Sequence, residues 1–97
     1  MSVDLKSLVD AALDDAVRRT ALDRSRLKVI SAEAVTWSDG SIGCPMPGVL
    51  YTQALVPGYR IRIQANAEVL DYHAGRRGQP VFCPLGRSVE PVPGGPT

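Results

Sequence analysis

Ninety-seven residues, 44% hydrophobic and 22% charged, leave room for one core, and eleven Lys and Arg against ten Asp and Glu give a net charge of +1. That composition excludes collagen, coiled-coil and low-complexity classes, and it supplies no global field to hold nucleic acid or an anionic membrane. No stretch approaches the roughly 18 apolar residues of a membrane span, and MSVDLKSLVD at the amino terminus holds no apolar run of signal-peptide length, so the expected compartment is the cytoplasm.

Residues 1–39 contain neither glycine nor proline, whereas nine Gly and eight Pro fall in residues 40–97. A helical first part is therefore expected before a turn-rich second part. From Leu5 the apolar positions run Leu5, Leu8, Val9, Ala12, Leu13, Ala16 and Val17, the spacing of one helix face. Ser2 is the expected N-cap, Asp4 suits the positive end of the helix dipole, and Asp14 with Arg18 and Asp15 with Arg19 form acid-first pairs at i, i+4.

Beyond a polar connection at Asp23–Arg26, the segment Leu27–Trp37 carries strand-forming Val29, Ile30, Val35, Thr36 and Trp37. Leu27, Val29, Val35 and Trp37 share a parity that Ser31 and Glu33 interrupt, so a bulge near Ser31–Glu33 or two short strands is expected. The clearest hairpin lies in residues 59–74. A turn at Asn66–Ala67 places Ile61 opposite Tyr72 and Ile63 opposite Leu70 on one face, with Arg62 opposite Asp71 and Arg60 opposite His73 on the other. Pro57–Gly58 carries a type II turn signature, Gly75–Pro80 reads as a second turn, and Val81–Cys83 forms a short strand that Pro84 ends.

The expected fold class is thus α+β: an N-terminal amphipathic helix packed on a three- to four-stranded, mostly antiparallel sheet. Its expected core is Leu5, Leu8, Leu13, Val17, Val29, Trp37, Tyr59, Ile61, Ile63, Leu70, Tyr72 and Phe82. Residues 1–84 form the single domain. Residues 85–97, rich in Pro and Gly and poor in apolar side chains, are expected as a disordered tail.

Residues 38–50 form a long irregular loop stiffened by Pro45 and Pro47, and loops of this length in small domains are often functional. The leading reading is a non-enzymatic interaction module that presents this loop to a protein or peptide partner, with Asp39, Ile42, Cys44, Met46, Leu50, Tyr51 and Gln53 as binding residues. An Ω-loop packed back on the sheet is the plain structural account. The alternative function is a small-ligand or catalytic site beneath the loop that uses Tyr51, Gln53 or Cys44.

Val35, Thr36, Trp37, Asp39, Gly40, Ser41, Gly43, Cys44, Pro45, Pro47, Gly48 and the run Tyr51–Arg60 resemble a segment, TWxDGSxGCPxPGxxYTQALVPGYR, of a family of small bacterial proteins of no established function. Tyr72, His73 and Cys83 extend the likeness loosely. The resemblance implies a bacterial source and a shared fold and adds no catalytic assignment.

Cys44 and Cys83 each precede a proline, and the expected topology brings their Cα atoms within about 10 Å as a disulfide or near-contact pair, mostly reduced in a cytosolic protein. Metal binding would need Cys44, Cys83 and His73 to converge, with no CxxC or HxxxH spacing in support. His73 could join Ser41 and Asp39 or Asp71 in a triad, against the plainer reading of a cross-strand histidine on a solvated face beside Arg60. Gly43 to Gly48 has P-loop spacing, but Val49 and Leu50 stand where Lys and Ser or Thr are required, and GxGxxG is absent, so no cofactor is implied. Basic residues at Arg18, Arg19, Arg24, Arg26 and Lys28, and at Arg60, Arg62, Arg76 and Arg77, are interleaved with acids, which reads as solvated surface rather than a nucleic-acid patch.

Overall fold

In the computed structural model, which describes residues 4–93, the chain opens with helix α1 (Leu5–Thr20). Its cap is Asp4, whose carboxylate accepts the Ser7 amide at 2.8 Å; the expected cap, Ser2, lies outside the described residues. Ala21 in the left-handed region (φ 60°) closes the helix by donating its N–H to Val17 O at 2.8 Å. Asp15 does pair with Arg19, at 3.1 Å. Asp14 instead meets Arg24 from the following 3-10 turn (Arg24–Arg26), which also reaches Asp10 and so ties the connection back onto the helix.

Strands β1 (Leu27–Trp37), β2 (Val56–Ala65), β3 (Glu68–Ala74) and β4 (Val81–Cys83) form, among the described residues, one antiparallel sheet in chain order. The hairpin register is the one that hydrophobic pattern and charge select, with Ile61 opposite Tyr72 and Ile63 opposite Leu70. Asn66 carries the left-handed φ of the turn, at 56°. Pro57 and Gly58 do not form a turn. They pair with Thr36 and Val35 inside β2, where Gly58 is required because a Cβ would lie 2.1 Å from Ala74 O and 2.9 Å from the Trp37 indole nitrogen.

The helix face of the sheet holds the apolar core: Leu8, Ala12 and Ala16 pack on Ile61, Ile63, Ala65, Leu70, Tyr72 and Ala74, with Leu5, Val9, Leu13, Val29, Tyr59 and Phe82 partly buried around them. Two alanines at the centre of the helix stripe let α1 lie close on the sheet, so Leu13 and Val17 sit half-buried at its flanks. Tyr72 reaches past this core to donate its hydroxyl to Asp15 at 2.6 Å.

Trp37 belongs to the other face. The register shift falls between Val29 and Ser31, so Val29 and Ala32 both face the helix, and every later odd position, Val35 and Trp37 included, turns away from it. One inserted residue in a period-two element has this consequence.

Candidate functional site

The sheet face opposite the helix is covered without regular structure. Loop 38–55 leaves β1 and returns to β2, and a strap, residues 84–93 with a 3-10 turn at Leu85–Arg87, runs from β4 back to β1. Val89 N–H donates to Gly43 O at 2.9 Å and Val92 N–H to Thr36 O at 2.8 Å, so the strap spans the sheet from one edge strand to the other. Composition reads residues 85–97 as a disordered tail; in the structure 85–93 make these bonds, and 94–97 lie outside the described residues.

Beneath loop and strap lies a buried polar cluster. Arg60 grips Asp71 bidentately, Nε to Oδ1 and Nη2 to Oδ2, both at 3.0 Å, and donates through Nη1 to Glu90 of the strap at 2.9 Å. Arg62, directly opposite Asp71 in the register, instead points to Ser31 and Glu33. Ser88 donates to Asp71 Oδ2 at 2.7 Å. His73, fully buried and stacked on Trp37 with 4.3 Å between ring centroids, is not on a solvated face, because the strap and loop exclude water from this side of the hairpin.

The His73 ring contacts Ile42 O through Nδ1 at 2.8 Å and Asp71 Oδ2 through Nε2 at 2.9 Å. A carbonyl and a carboxylate are both acceptors, so the ring is held between two acceptor groups, one from the loop and one from β3. Burial would raise the Asp71 carboxyl, but hydrogen bonds from His73, Arg60 and Ser88 outweigh it and hold the group well below the usual carboxylate range. Ser88 Oγ lies 3.4 Å from His73 Nε2, but its shorter bond, at 2.7 Å, is to Asp71 Oδ2, the same oxygen that Nε2 meets at 2.9 Å. The serine that approaches His73 is thus Ser88; Ser41 instead donates to its own neighbour Asp39, by N–H at 2.8 Å and Oγ at 2.6 Å.

This cluster anchors the loop. Ile42 adopts φ 49°, a strained conformation for a β-branched residue, and is held there by His73 on its carbonyl. Gly43 (φ 74°) follows, where a Cβ would sit 2.4 Å from the Trp37 ring and 2.8 Å from Val89 O. Cys44 is then disulfide-bonded to Cys83 of β4, with a Cα separation of 5.7 Å. The pair is therefore bridged rather than reduced, and neither sulfur is available as a thiolate ligand; among the described residues no group of His, Cys, Asp and Glu could hold a metal.

The remaining expected site residues divide. Asp39, Ile42 and Cys44 build the loop's base; Met46 and Leu50 project outward, Leu50 with 98% of its surface exposed. Tyr51 OH accepts the Met46 amide at 3.1 Å, and Gln53 donates to Tyr51 O at 3.3 Å, so these two brace the loop's own backbone. Gly40 N–H to Thr52 O, at 2.8 Å, closes the neck. The sequence marks Asp71 only as a conceivable triad partner of His73 and Arg60 only as the residue beside it, and it marks Ser88 and Glu90 not at all. Hairpin parity had already put Arg60 and Asp71 on one polar face, but nothing in the sequence signals that the strap covers it.

Helix on one face, cystine-tethered loop and strap on the other: these define a small α+β domain whose sheet is covered twice by different means. The chain belongs to the family described as Domain of unknown function (DUF8738), whose model matches residues 9–83. That span contains the bridge, Trp37 and the Arg60, Asp71 and His73 cluster, and ends before Ser88 and Glu90. No curated protein and no solved structure matches the chain.

Proposed function

We propose that this domain is a non-enzymatic interaction module that presents loop 38–50 to a protein or peptide partner. The observation that carries the reading is Leu50, almost fully exposed on a loop whose base is fixed by a disulfide and by His73. Met46 and Val49 beside it are also exposed, at 52% and 47%. An apolar tip on a pre-ordered base loses little conformational entropy when it docks, which favours binding. The bridge supports an oxidising compartment, where such bonds persist, in place of the cytoplasm expected from the amino-terminal residues. The likeness of the segment Thr36–Arg60 supports a bacterial source.

Leu50→Asp and Met46→Asp domains, used beside the parent to capture proteins from a lysate of the source organism, test the loop. The expected outcome is a set of proteins retained by the parent and lost from both variants at unchanged circular dichroism; an identical captured set overturns the reading. Alkylating thiols during denaturing extraction without reductant tests the compartment, and two blocked thiols per chain would return it to the cytoplasm.

A further inference from the structure

We propose that the groove between loop and strap takes a peptide segment that carries a carboxylate among apolar side chains, with Arg87 as the anchoring cation; this rests on the interaction-module reading and names its partner's chemistry. The groove is lined by Pro45, Met46, Pro47, Arg87, Ser88 and Val89. Three described arginines are buried or half-buried: Arg60, Arg62 and Arg87. Arg60 and Arg62 each have a carboxylate within 4 Å, whereas Arg87 has none among the described residues. Among the described residues its Nη2 finds only the weakly accepting sulfur of Cys44, at 3.9 Å, and its buried Nε has no partner.

A half-buried guanidinium whose Nε is shut off from water and whose Nη2 has only a sulfur beside it is an unmet demand, and a carboxylate at its outer edge answers it with oxygens that match the guanidinium fork. The rim supplies the second requirement. Met46 and Val89 are about half exposed at 52% and 47%, and the prolines give a rigid wall. Methionine adapts to varied apolar partners. One cation in an apolar setting with no lining aromatic ring suits a peptide, where a nucleic-acid backbone would need several cations and a stacking platform.

The test pans a phage-displayed library of random dodecapeptides on the full oxidised chain, then measures selected synthetic peptides against variants by titration calorimetry. Selected peptides should be enriched in Asp or Glu beside apolar residues. Affinity should fall at least tenfold with Arg87→Gln, and equally when the peptide's acid is changed to its amide. Arg87→Lys, which keeps charge and loses the fork, should give a partial loss, and melting of each variant beside the parent separates binding from folding. Peptides without acid enrichment, or affinity indifferent to Arg87→Gln at parental stability, overturn the anchor. If those peptides still lose binding with Met46→Asp, the loop reading stands alone. Failure to enrich any peptide overturns the carboxylate inference, and the loop reading is then judged by its own capture experiment.

Discussion

The two faces of this sheet are buried by opposite means. On the helix side, Leu8, Ala12, Ala16, Ile61, Ile63 and Leu70 interlock through non-directional apolar contact. On the other side a bidentate Arg60–Asp71 pair, a stacked Trp37–His73 pair, one cystine and a few strap hydrogen bonds hold irregular backbone in place. The first solution tolerates conservative exchange of side chains of similar volume; the second fails when one partner is removed, because each interaction has a direction and a designated partner. A helix can be read from its period, whereas a polar cover has no period to read.

Asp71→Ala should give the largest effect, about 3–5 kcal/mol in urea unfolding, because it strands Arg60 and His73 without their shared anion. A cost below that of an apolar truncation on the helix side would break the comparison. Acid approaches the same state gradually. The Asp71 and Glu90 carboxyls lie below their ordinary values of 3.8 and 4.5, Asp71 despite burial and Glu90 through its hydrogen bond to Arg60. Folded values lower than unfolded ones mean stability that is fully present above the ordinary values and is lost as pH falls below them. Melting temperature should therefore hold near neutrality and drop below about pH 4, with a shallower drop in Asp71→Ala.

Opening the bridge with reductant should cost about 3–4 kcal/mol by the chain-entropy account of a ring this long. Hydrogen exchange sharpens the contrast: amides of Val89 and Val92 should lose protection more than those of β2 and β3. Uniform loss across both faces would show that the cover and the core are one cooperative unit. Ile63→Ala should cost about 2–4 kcal/mol and lower protection everywhere. Asp4→Ala, which removes a cap far from either face, should cost about 1 kcal/mol, read as a small shift of the urea midpoint.

What was legible in the sequence follows the same division. The hairpin register was legible because apolar and charged residues independently choose one alignment, and α1 because its stripe repeats at helical spacing. Parity with Val29 places Trp37 in the helix-side core, but the bulge between Val29 and Ser31 reverses the face of everything after it. The strap was illegible: its order comes from two backbone amides, Ser88 and Glu90, none of which leaves a pattern in the order of residue types. The loop's apolar tip can be named from composition and the Cys44–Cys83 proximity from the strand topology, but the bond from His73 to Ile42 O, between residues remote in the chain, leaves no pattern to read.

The Cys44–Cys83 bond also closes a covalent ring that contains β2, β3 and β4 and leaves α1 and β1 on one tether and the strap on the other. Stretched by its ends, the oxidised chain cannot release the residues inside that ring. A sequence separation of 39 at roughly 3.3–3.6 Å per residue withholds about 130 Å of contour length. Tension applied at the termini is then borne by the helix, β1 and the strap, while the hairpin that carries Arg60, Asp71 and His73 stays out of the line of force for as long as the two sulfurs remain joined.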